Sequence, residues 1–168
     1  MDNQEVIKTL TVDACIALFN DYSLPLQLAE PTAEPLEVEL LYCSVIGFSS
    51  AQMRGSLLLA TTREPLGLTS PVKGNPLYEW IAELSNQLLG RIKRQLTDRG
   101  VELAISTPIV LRGERLHPMP SGDAAPLTFA SEGGSVRVWM DAVLVPGLDL
   151  SQVQASDPGM GEGDALLF

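Results

Sequence analysis

Apolar residues recur at helical spacing through EVIKTLTVDACIALFNDY (5–22), where Val6, Ile7, Leu10, Ala14, Ala17 and Leu18 share one face. This spacing predicts a first helix. SLPLQLAEPTAEP carries three prolines and reads as a loop. In LEVELLYCSVIGF, Glu37 and Glu39 alternate with Val38 and Leu40, as in a strand whose start has one wet face. A turn at SSAQM leads into RGSLLLAT, the second strand of a hairpin. TREPLGLTSPVKGNP, again with three prolines, is expected to form at most a short helical turn.

A long helix is predicted from Leu77 to Thr97, ending before Gly100. VELAISTPIVLRG predicts the next strand, with Pro108 marking a bend or an edge position. LHPMPSGDAA is a loop. PLTFASEGGSVRVWMDAVLV predicts a hairpin around Gly133 and Gly134, with Val136, Val138 and Met140 alternating against Arg137 and Trp139. The order is helix, two strands, irregular segment, helix, three strands. That is an α+β fold of two loosely similar halves, with a largely antiparallel sheet and the 77–97 helix packed on it. One domain is expected over residues 1–150. Periodicity fades after it, and residues 151–168 read as a flexible acidic C-terminal tail.

Composition narrows the function classes. The chain has 168 residues, 45% hydrophobic and 19% charged, enough for one ordinary core. Its net charge is −10, and its eleven Lys and Arg are dispersed, which argues against nucleic acid or an anionic membrane as partner. Cys15 and Cys43 form no C-x-x-C pair and read as buried free thiols. No signal peptide and no membrane-length apolar run is visible, so a cytoplasmic location is expected. His117 is the lone histidine; it sits in a loop, and no G-x-S-x-G elbow or zinc-ligand set accompanies it. GMGEGD (159–164) lacks the strand and helix that a phosphate loop needs. The terminal DALLF reads as a disordered end or a short docking motif.

The 77–97 helix carries the chemistry. With Trp80 at 0° and about 100° per residue, Ile81, Leu84, Leu88 and Ile92 fall between about 40° and 120°. They form a stripe that must face the core. Glu83, Asn86, Gly90 and Lys93 fall between about 220° and 300°, on the opposite side. A glycine inside a helix costs about 1 kcal/mol relative to alanine. Placed on the solvent face, Gly90 leaves a flat spot beside a carboxylate and a carboxamide: a candidate contact surface.

ELSNQLLGRIK (83–93) resembles the E-x-x-N-x-x-x-G-x-x-K signature of the CheC/CheX chemotaxis phosphatases. AISTPIVLRG (104–113) is similar to the strand that follows in CheX-type members, and IGFSSAQMRGSLLLAT (46–61) to their first hairpin. The resemblance covers about residues 5 to 145. It implies a phosphatase in two-component signalling that acts on a phosphorylated CheY-like response regulator, whose aspartyl phosphate lies beside a bound Mg²⁺. Asn86 would orient the attacking water, Glu83 would pair with a lysine of the regulator, and Gly90 and Lys93 would belong to the docking surface. The Mg²⁺ is the partner's, so this chain is expected to bind no cofactor or metal. The resemblance also implies a homodimer through a sheet edge.

The first helix offers no second site, since Asp13 is followed three residues later by Ile16, which favours the single-site CheX type. Residues 62–76 are unusually proline-rich for the place where the family pattern implies a regular crossover element, and the tail matches nothing in that pattern. The rival reading is a non-catalytic adaptor of the same fold, as in flagellar-switch proteins, which would bind a regulator without hydrolysing it.

Overall fold

The structure, a computed structural model, describes residues 1–30, 40–116, 118–119 and 125–153. The alternation of Glu37 and Glu39, His117, GMGEGD and the DALLF end lie outside the described residues, as does all of the 151–168 tail beyond Val153.

Helix α1 spans Asn3–Asp21. It begins before Glu5 because Asp2 caps it, its carboxylate accepting from the Glu5 backbone N–H at 2.8 Å. Val6, Ile7, Leu10, Ala14 and Leu18 are buried, joined by Thr11, Cys15 and Phe19. Ala17 is exposed, contrary to its place in the predicted stripe. Its methyl is too short to close the groove that it lines with Arg91 and Arg94.

The first loop is not wholly irregular, for Gln27–Leu28 form a two-residue strand, β1. Strands β2 (Leu40–Ser49) and β3 (Met53–Thr61) make the expected hairpin, with Ser49 opposite Arg54. The Ser50 hydroxyl closes the turn by accepting from the backbone N–H groups of Gln52 and Met53 at 3.1 and 3.0 Å.

The proline-rich stretch that follows exceeds a single turn: helix α2 runs from Arg63 to Thr69. Pro65 is its third residue, where the missing N–H would have had no helical acceptor in any case. Helix α3 spans Leu77–Thr97, the predicted bounds. It ends as expected for glycine: Gly100 has φ of 82°, with bonds from Val101 N–H to the Leu96 carbonyl and from Gly100 N–H to the Thr97 carbonyl.

The single strand expected over 101–113 is two, β4 (Ala104–Ile105) and β5 (Ile109–Glu114), both paired with β2. Ile105 faces Phe48 and Ile109 faces Val45, so residues 106–108 bulge against Ile46 and Gly47. Pro108 has no N–H to give a ladder. Ser106 holds the gap, its N–H donating to the Gly47 carbonyl and its Oγ accepting from Gly47 N–H, both at 2.9 Å. Strands β6 (Leu127–Ser131) and β7 (Gly134–Leu144) form the last hairpin, and Gly133 takes φ of 75° in its turn.

The sheet order is β1-β6-β7-β3-β2-β4, with β5 also on β2, and every pairing is antiparallel. This is an α+β fold with α1, α2 and α3 contributing to one core on one sheet face. That face supplies Tyr42, Ile46, Phe48, Leu57, Leu59, Phe129, Val136, Val138 and Met140. The other face is not simply wet. Leu41, Cys43, Ala60 and Trp139 form a second, smaller buried cluster there, flanked by Leu58 and Leu116.

Candidate functional site: one face of helix α3

Half of α3 is anchored. Trp80, Ile81, Leu84, Ser85, Leu88, Leu89, Ile92 and Leu96 are all buried, a wider arc than the four-residue stripe predicts. Fully burying a Leu or Ile side chain contributes about 1.5–3 kcal/mol, so this face fixes the rotation of the helix. Polar groups inside the contact are satisfied. The Trp80 indole N–H donates to Thr69 Oγ1 of α2 at 2.9 Å, and the Ser44 and Ser85 hydroxyls share a hydrogen bond of 2.7 Å. Tyr22, at the end of α1, packs edge-on to Trp80 with ring centroids 5.0 Å apart.

Fixing that face turns the other one outward. Glu83 and Asn86 are exposed, and Gly90 and Lys93 are half-buried, so the structure brings the four sequence-predicted residues onto one side. A Cβ built at Gly90 would meet nothing within 4 Å. No packing among the described residues therefore requires the glycine. Gln87, Gly90, Arg91 and Arg94 line a shallow depression there.

The side chains around Gly90 differ in restraint. Gln87 Nε2 donates to Glu83 Oε1 at 2.9 Å, and the Tyr22 hydroxyl donates to Gln87 Oε1 at 2.9 Å. One turn on, Arg91 forms an ion pair with Asp21 of α1. The Asn86 amide has no hydrogen-bond partner among the described residues and keeps both donor and acceptor free. Gln87 and Tyr22 did not figure in the sequence expectations. Gln87 lies four residues after Glu83, a spacing that signals a helical pair, whereas nothing local points to Tyr22.

The other candidates fall away from this face. Cys15 and Cys43 are unpaired thiols in clusters on opposite faces of the sheet. Burial pushes the Cys43 thiol up to about 11 and the Cys15 thiol further still, so neither is a nucleophile near neutral pH. In α1, Asp13 is exposed but Ile16 packs against the core. Among the described residues no cluster of His, Cys, Asp or Glu could hold a metal ion, and no helix is long and apolar enough to cross a membrane.

No protein-family model matches the sequence, and no curated protein matches it significantly. Solved structures do match. Chemotaxis protein CheX from Vibrio vulnificus superposes with a TM-score of 0.68 at 19% identity, covering 82% of this chain and 96% of that one. A CheC-like superfamily protein from Shewanella sp. PV-4 gives 0.69 at 18% identity, covering 85% and 99%. CheX in a CheX–CheY–BeF3–Mg²⁺ complex from Borrelia burgdorferi gives 0.62 at 16% identity, covering 80% and 96%. These superpositions agree: this chain has the CheC/CheX fold.

Proposed function

We propose that this chain is a phosphatase that hydrolyses the aspartyl phosphate of a CheY-type response regulator, using α3 as its docking helix. The observation that carries the reading is the outward face of α3: Glu83 and Asn86 stand exposed beside a glycine that no packing among the described residues requires. The CheX–CheY complex from B. burgdorferi, whose CheX shares the fold, supports the choice of partner.

Asn86 is the catalytic residue in this scheme. Its amide oxygen accepts from a water while its NH₂ remains a donor, so the water can be held in line with the phosphorus. The water oxygen bonds to phosphorus as the bond from phosphorus to the aspartyl oxygen breaks. The electron pair returns to the regulator's carboxylate, and inorganic phosphate leaves with the water's oxygen, keeping one of the water's protons and releasing the other to solvent. A loose phosphoryl-transfer transition state needs positioning and charge neutralisation more than a strong base, and a neutral amide adds no negative charge against the phosphate. The Mg²⁺ that neutralises the phosphoryl oxygens belongs to the regulator. Glu83 pairs with a regulator lysine, while Gly90 and Lys93 form the surface on which the partner's backbone rests.

Single-turnover decay of a phosphorylated CheY-type regulator, measured across protein concentrations, tests this. Acceleration that saturates supports the phosphatase. Binding without acceleration replaces it with the adaptor, and absence of both removes the partner class. The same reading includes a homodimer through the β5 edge. Among the described residues β5 pairs with β2 alone, and its Ile109 and Leu111 are 65% and 50% exposed. Light scattering that shows a monomer at high concentration removes the dimer.

A further inference from the structure

We infer that Gln87 and Tyr22 are positioning residues that hold the Glu83 carboxylate ready for its partner; the inference rests on the docking role proposed for Glu83.

The geometry fixes the direction of every bond in the chain of contacts. Glu83 as a carboxylate only accepts, so the Gln87 group facing it at 2.9 Å must be the NH₂. That turns the Gln87 oxygen toward Tyr22, and the phenol, 2.9 Å away, must donate. Reversing the amide would set two acceptors against each other at Glu83. The proton pattern is therefore determined by the ends of the relay.

Tyr22 can act as the fixed end because it is itself held. It follows α1 directly, its ring packs edge-on to the buried Trp80, and the neighbouring Asp21 pairs with Arg91. Positions 83, 87 and 91 form one column along α3, and the end of α1 grips that column at two points, one turn apart. The result at the surface is asymmetric. One Glu83 oxygen is occupied by Gln87, while the side chain stays exposed with its other oxygen unengaged within the described chain. A free glutamate would have to be ordered on docking. Immobilising one flexible side chain at an interface costs enough to change affinity about 3- to 10-fold, and the relay removes much of that cost in advance.

The test uses the full chain and a phosphorylated CheY-type regulator, with single-turnover decay followed over a range of protein concentrations. Gln87→Leu, which keeps the bulk but not the amide, is expected to raise the half-saturating concentration about 3- to 10-fold and leave the saturating rate unchanged. Tyr22→Phe, which keeps the ring against Trp80, moves the same constant by a smaller factor. In a Glu83→Ala background Gln87→Leu should add nothing, because there is no carboxylate left to position. An equal further loss in that background, or a fall in the saturating rate, overturns the inference.

A second readout needs no partner. Side-chain scalar couplings of Glu83 in the isolated protein should report one dominant rotamer, averaged in Gln87→Leu. Averaging in the wild type overturns the ordering. If the wild type neither binds nor accelerates decay, the phosphatase reading fails, and the couplings alone then decide the ordering: one rotamer upholds it, averaging removes it.

Discussion

Helices α1 and α3 are of similar length and pack against the same core, yet their outward faces carry different residues. In α3 the positions 83, 86 and 90 hold a carboxylate, a free amide and a bare backbone. The same spacing in α1 gives Asp13, Ile16 and Asn20, and Ile16 packs toward the core. The end of α1 then supplies Asp21 and Tyr22 to brace α3. One helix leaves polar groups exposed; the end of the other braces it. A common fold thus does not make its two helices equivalent, because a single apolar residue at the middle position commits a face to packing.

The largest expected effect tests whether α3 is anchored as its burial suggests. Leu88→Ala should cost about 2–5 kcal/mol of unfolding free energy in chemical denaturation, since the site is closed and the cavity cannot collapse. A loss below the size typical of surface changes would mean the helix is not held by this face.

Next in size is Asn86→Ala, expected to lower the saturating decay rate about 100-fold, or about 2.7 kcal/mol, with little change in half-saturating concentration. Stability should be unaffected, as the side chain is exposed. Full retention of the saturating rate would end the catalytic assignment.

Ile16→Asn asks whether α1 can be converted. Because Ile16 packs against the core, the change should cost about 1–2 kcal/mol of stability and create no second site. An Asn86→Ala, Ile16→Asn double variant that regains decay activity would show the two helices to be interchangeable after all.

Gly90→Ala separates stability from docking. With open space around the new methyl, helix propensity should raise stability by about 1 kcal/mol. Gly90→Leu should share the propensity gain but raise the half-saturating concentration by covering the flat spot. Destabilisation by alanine would reveal a packing reason for the glycine and weaken the case for a docking surface.

The last effect concerns the thiols and is confined to high pH. Cys15 in α1 and Cys43 in β2 are both held protonated by burial, Cys43 rising from 9.0 to about 11. The unfolded chain releases these protons first, so the folded state binds more of them above pH 9. Stability should therefore be level below that pH and fall as pH rises toward 11, a dependence that Cys43→Ala should reduce. A flat profile over that window in denaturant titrations would contradict the burial.

Periodicity alone determined the long helix. An apolar arc on α3 admits one rotation against a sheet, and Glu83, Asn86 and Gly90 had to lie opposite it, whatever the rest of the chain did. Gly100 marked the end for a reason equally local, its positive φ. The β2–β3 hairpin and the antiparallel order were readable from short runs and turns. Tertiary structure decided what depends on residues far apart. The strand after α3 breaks at Ser106 because Gly47 lies opposite it, and Trp139 is buried because Leu41, Cys43 and Ala60 share the far face of the sheet. Pro65 sits in the first turn of a helix where proline content suggested little, since that turn has no use for its missing N–H. The relay from Tyr22 through Gln87 to Glu83 joins α1 to α3 across 65 positions of sequence. Local pattern sets which face of a helix turns outward; only folding brings up the second helix that holds a side chain on that face in place.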